Sequence, residues 1–201
     1  MVKVSKKLKS LVLAAAVVLP LAANAESSLQ TGAGALTANA RVDFTIVIPK
    51  ILFLRVGTAN ATIDLITFNV LAANVGNAVA QAGTGGDLGA GAVTAVVQGN
   101  NGTVTLNATT GGAISNGTDT INYTEIVTTP TALAGFATLL NAPTLANGAS
   151  GNITINPAPS KVVNSGAKWT YTYANSNVVA PGTYGGVNTN NSRVTYTASM
   201  P

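Results

Sequence analysis

The chain has 201 residues, ten Lys and Arg against six Asp and Glu, no His and no Cys. Without Cys it holds no disulfides, so stability must come from strand pairing and core packing. Without His it lacks the commonest general base and metal ligand, which excludes His-dependent triads and the usual His/Cys zinc sites.

The formal charge of +4 is explained by the first residues. Lys3, Lys6, Lys7 and Lys9 form a basic head, residues 11–21 an apolar run, and Ala23-Asn24-Ala25 a small-x-small cleavage site before Glu26. This reads as a bacterial-style secretory signal peptide, residues 1–25, that exports the protein to the periplasm, cell surface or medium. Its removal takes four of the ten basic residues and no acidic one, leaving a formal charge of zero. The six remaining cations are spread along the chain, so no nucleic-acid footprint is expected. What remains, about 176 residues, fits one domain with a real core. Near-zero charge offers little repulsion against self-association.

Residues 26–40 are small and polar, with Gly32 and Gly34, and read as a flexible arm before a single domain over 41–201. Val42, Phe44, Ile46 and Ile48 then alternate with Arg41, Asp43, Thr45 and Val47, the period of a half-buried strand. Pro49 ends its ladder or marks a bulge. Residues 51–56 are apolar on both faces, as in a strand covered on each side or exchanged. A strand over 63–71 and a Gly/Ala/Asn loop over 76–91 follow. Residues 93–98 and 103–109, joined through Asn101-Gly102, predict a hairpin. Asn116-Gly117 is another turn signal before a strand over 120–128.

Leu133, Phe136, Ala137 and Leu140 recur at helical spacing after Thr129-Pro130, which predicts one short helix. Ile153 and Ile155 mark a strand. Trp169, Tyr171 and Tyr173 share one face of the clearest alternation in the chain, and Tyr184 and residues 193–199 make the last strands. Eight or nine short strands with turns between them predict an all-β antiparallel sandwich. No apolar stretch after the leader is long enough for a spanning helix. The aromatic residues are too few and too clustered for the two girdles of an outer-membrane barrel.

The acid/base candidates are the carboxylates Glu26, Asp43, Asp64, Asp87, Asp119 and Glu125. A hydrolase would need two of them across a cleft; Asp43 and Asp64 are the pair on consecutive segments, yet each also suits a solvated strand edge. Residues 83–89 are glycine-rich but are followed by neither helix nor Lys, as a phosphate cradle requires. No loop carries the several Asp of a calcium site. No cofactor is expected, nor enzymatic activity. Trp169, Tyr171, Tyr173 and Tyr184 suit either a sugar-stacking platform or core packing.

Two stretches carry a resemblance. Residues 169–173, Ala180-Pro181-Gly182-Thr183-Tyr184 and residues 194–197 resemble the closing strands of bacterial secreted immunoglobulin-like domains, in which a Pro-Ala-Gly-x-Tyr corner leads into a last alternating strand. These are the spore coat U-like proteins, chaperone-usher pilins and WxL-type surface domains. Residues 101–106 and 119–123 are similar to their middle. The chain departs from them in lacking Cys, in the segment 185–192 before the last strand, and in lacking an aromatic near Pro201. The resemblance implies an immunoglobulin-like sandwich and a fimbria-like surface subunit that polymerises by donating a strand, with a periplasmic chaperone or outer-membrane assembly protein as partner. Val42, Phe44, Ile46 and Ile48 are the candidate donor strand. The alternative is a monomeric glycan-binding module using Trp169, Tyr171, Tyr173 and Tyr184.

Overall fold

The computed structural model describes residues 27–158 and 160–201; the predicted signal peptide lies outside them. The chain falls into two units, one reaching Ile48 and the other spanning Pro49–Pro201. In the first, residues 27–48 form neither strand nor helix and are exposed throughout. The strand predicted over 42–48 therefore has no ladder. Alternation supplies a face to bury, but a strand also needs a neighbour to take its main-chain hydrogen bonds.

The second unit is all-β. Its strands are β1 (Leu52–Val56), β2 (Ile66–Phe68), β3 (Gln81–Gly85), β4 (Ala92–Gly99), β5 (Val104–Thr110), β6 (Ile114–Ser115), β7 (Thr120–Ile121), β8 (Ile126–Ala132), β9 (Thr138–Leu139), β10 (Ile153–Ile155), β11 (Val163–Tyr173) and β12 (Val194–Ser199). One sheet runs β1-β4-β11-β3-β2, with β8 and β9 also on β11; the other runs β10-β5-β12; β6 and β7 form a separate hairpin. Every pairing is antiparallel except that of β9 with β11.

The eleven residues of β11 organise the larger sheet. Residues 163–170 pair with β4 and residues 172–173 with β3, so β3 and β4 lie in line along one side of β11. β1 pairs with β4 and β2 with β3, making the outer line of the same side. Both lines are interrupted by excursions that an Asp closes. Asp64 accepts from Thr58 N and Thr58 Oγ1, and Asp87 accepts from Thr94 N while pairing with Arg55 at 3.1 Å. Gly57 is at φ +87, and a Cβ there would sit 2.0 Å from Asp64 Oδ2, so this turn needs glycine on two counts.

The core lies between the two sheets. Val93, Ala95 and Val97 of β4, Ala167, Trp169 and Tyr171 of β11, Val104, Leu106 and Ala108 of β5, and Ile155 of β10 form one buried cluster. The sandwich predicted from alternation is thus present.

Five local expectations are corrected. β4 and β5 do not form a hairpin. Both edges of β4 are already taken by β1 and β11, so the chain at Asn101-Gly102 crosses to the other sheet. No helix forms over residues 129–140. Pro130 lies within β8 opposite Trp169, Phe136 lies on Gly166, and Leu140 is buried. The run over 63–71 yields only the three residues of β2, and the 76–91 loop contains β3. The strand over 120–128 is broken by a 3-10 turn at Tyr123–Glu125 that buries Tyr123.

Candidate functional site: an unguarded sheet edge

The aromatic cluster is core, which overturns the sugar platform for three of its four members. Trp169 is 0% exposed, Tyr171 7% and Tyr173 5%. Trp169 donates its indole N–H to Leu140 O at 2.8 Å and lies 5.3 Å, ring to ring, from Tyr196 of β12. Tyr171 and Tyr196 share a hydrogen bond between hydroxyls at 2.9 Å. Tyr123 donates to Asn191 O at 2.7 Å, in the loop leading to β12. Burial pushes the Tyr171 and Tyr123 phenols up to about 12, and burial followed by its tyrosine neighbour drives Tyr196 well above its usual value. Tyr184 lies outside any strand and donates to Ala180 O at 2.8 Å, closing the Ala180-Pro181-Gly182-Thr183 corner.

Trp169, Tyr171 and Tyr196 fasten β12, the last strand of one sheet, to β11 of the other. Among the described residues β12 is paired on one side only, by β5. Val194, Tyr196 and Ala198 point inward and Thr195, Thr197 and Ser199 outward. The inward residues are only partly buried, whereas Val104, Leu106 and Ala108 beside them on β5 are at most 1% exposed. β1, the edge of the opposing sheet, lies beside β12, and its Leu54 and Val56 are likewise core-facing yet partly exposed. The core is therefore only partly covered along the β1/β12 side, as it is at Ile66 and Phe68 of β2, Ile126 of β8 and Ile153 of β10.

Edges differ in how they are protected from pairing with other chains. Proline, charge and shortness are the usual guards. Pro130 lies within β8 and removes a donor from its edge, and β10 is three residues long and soon followed by Pro157. β12 has six residues, no Pro and no charge, with Thr and Ser on its outward face. It is the longest unguarded edge of the smaller sheet.

Residues 27–48 expose their large apolar side chains. Val42 is 74% exposed, Phe44 87%, Ile46 83% and Ile48 76%. These are the four residues of the candidate donor strand. They keep the alternation of a strand but lie outside any strand.

Three carboxylates of the second unit, Asp64, Asp87 and Glu125, are held by neighbours. Both oxygens of Asp64 are engaged by Thr58, and Asp87 is held by Arg55 and Thr94. Glu125 accepts from Ser176 N and Asn177 Nδ2. Beside it lies a hollow of about 270 Å³ lined by residues that include Thr120, Asn122, Tyr173 and Val178. Among the described residues no group of three His, Cys, Asp or Glu is placed to hold a metal ion, and no helix is long and apolar enough to cross a membrane. No protein-family model matches the chain, nor does any curated protein or solved structure. Sequence reasoning missed β12 as the candidate acceptor, because which strand lies at an edge is a property of sheet order. The signal it did carry was the absence of Pro, Lys and Arg within residues 194–199.

Proposed function

We propose that the protein is a structural subunit of a bacterial surface filament, exported through its leader and assembled by strand addition. The 42–48 arm of one copy pairs with the free edge of β12 in the next, and Val42, Phe44, Ile46 and Ile48 turn toward that copy's partly covered core. The observation that carries this reading is the arm itself, with four large apolar side chains at strand spacing and each at least 74% exposed. Fully burying one such side chain stabilises by roughly 1.5–3 kcal/mol. Main-chain bonds along β12 satisfy the arm's backbone, as in other strand-addition complexes. The exported chain must stay unassembled until it reaches its neighbour, and a periplasmic chaperone or outer-membrane assembly protein fits that need.

The test is an SDS gel of the protein taken from the producing cell's surface, run unheated and boiled. A ladder of multiples that collapses to one band on boiling is expected, because strand-exchanged subunits unfold slowly. Deletion of residues 26–48 should abolish the ladder and leave monomer. A deletion variant that still forms the ladder would refute the mechanism.

A further inference from the structure

The β1/β12 side differs at its two ends, and one end is tied shut. β1 leaves, and β12 arrives, at the turn that joins β4 to β5. Asn100 of that turn accepts from Ile51 N at 2.8 Å, donates its side-chain amide to Pro49 O at 2.8 Å, and bonds Ile51 O through its own N–H. Asn101 donates to Pro201 O at 2.7 Å, and Lys50 Nζ donates to the same carbonyl. Met200 packs on the core, and its sulfur lies 2.9 Å from where a Cβ on Gly99 would be, so Gly99 makes room for it. Lys50, Asn100, Asn101, Met200 and Pro201 therefore form a knot across this end.

Resting on the strand-addition reading, we infer that this knot is a register stop for the incoming arm of a second copy. Strand addition alone fixes register poorly here. A slip of one residue flips every side chain to the wrong face, but a slip of two keeps the alternation and offers the same main-chain bonds. The arm repeats large apolar residues at 42, 44, 46 and 48, and the outward face of β12 is a uniform row of Thr195, Thr197 and Ser199. Neither of these two rows distinguishes a two-residue shift, although Val194, Tyr196 and Ala198 on the inward face of β12 differ in size. A closed end does: an arm one step too far along must displace Met200 or break the Lys50 and Asn101 bonds to Pro201, while an arm one step short leaves a core-facing position unfilled. Lys50 and Asn101 act as positioning residues for assembly, through the carbonyl that they hold.

The absence of Cys from the native chain makes register directly readable. Thr45→Cys on the outward face of the arm is combined, in the full-length chain, with Cys at 195, 197 or 199, and disulfide-linked dimers are counted after mild oxidation. One pairing is expected to exceed its two-residue neighbours by about tenfold, which corresponds to a register preference of about 1.4 kcal/mol. With Lys50→Ala and Asn101→Ala added, or with Met200→Ala, the cross-links should spread over at least two positions while the yield of oligomer stays near wild type. Lys50 and Asn101 make their bonds at the surface, so these variants retain the core, and an unchanged melting temperature confirms that they fold. An unshifted single pairing in the variants would overturn the register stop while leaving strand addition standing. Wild-type oligomers with no arm-to-β12 cross-link at any position would overturn both.

Discussion

At the scale of single residues, Tyr171, one of the four candidates for a sugar platform, fastens the sandwich. Tyr171 and Tyr196 join the two sheets through one hydroxyl pair. Burial holds the Tyr171 phenol protonated up to about 12, against 10.0 for a free phenol. The unfolded chain therefore loses that proton first as pH rises. The stability contribution is complete below pH 10 and disappears progressively between pH 10 and about 12, with a slope of about 1.4 kcal/mol per pH unit for each such phenol. Urea unfolding followed from pH 8 to 12 should show stability falling steeply above pH 10. Tyr171→Phe should start lower, having lost the hydroxyl bond, and decline less steeply. An equal slope in the variant would remove Tyr171 from the alkaline transition.

At the scale of elements, β11 shows how a small residue admits a large one. Inward positions carry Val163, Ser165, Ala167, Trp169, Tyr171 and Tyr173, all buried, whereas Gly166 faces outward and receives the ring of Phe136. A Cβ at Gly166 would lie 2.4 Å from that ring, closer than any packing tolerates. Gly166→Val should therefore expel Phe136 and cost about 1–3 kcal/mol in urea denaturation. In a Phe136→Ala background the same substitution should cost clearly less, because the two residues contend for one space. Additive losses would mean that Phe136 is not the obstacle. This contact also explains why the helix predicted over 129–140 does not form. The spacing of Leu133, Phe136 and Leu140 is helical on paper, but Pro130 takes its place in edge strand β8 and the later residues serve β11. The inward row Trp169-Tyr171-Tyr173 was legible because alternation is local. The crossing from β4 to β5 was not, since Asn101-Gly102 makes a tight turn whether or not its flanking strands pair with each other.

At the scale of the whole molecule, an all-β sandwich could be read from strand count and turn spacing, while the order of strands could not. That order makes β12 an edge and places it beside β1, and it turns a run of Thr and Ser into a candidate acceptor. The alternation of Val42, Phe44, Ile46 and Ile48 was legible in the sequence; that these residues lie outside any strand is visible only in the structure. An expected formal charge of zero after leader removal leaves weak long-range repulsion to oppose the proposed self-association. In the proposed assembly, donation and acceptance reside in different parts of each subunit, so they can be disabled separately. The most direct measurement mixes wild-type subunits with copies carrying Phe44→Asp and Ile46→Asp, and follows polymer length by sedimentation velocity. Such copies can accept an arm but not donate one, so each that joins a polymer should end it, and mean length should fall steadily as their fraction rises. Wild-type polymers whose length is indifferent to the added variant, or variant copies that polymerise normally alone, would contradict assembly through the arm.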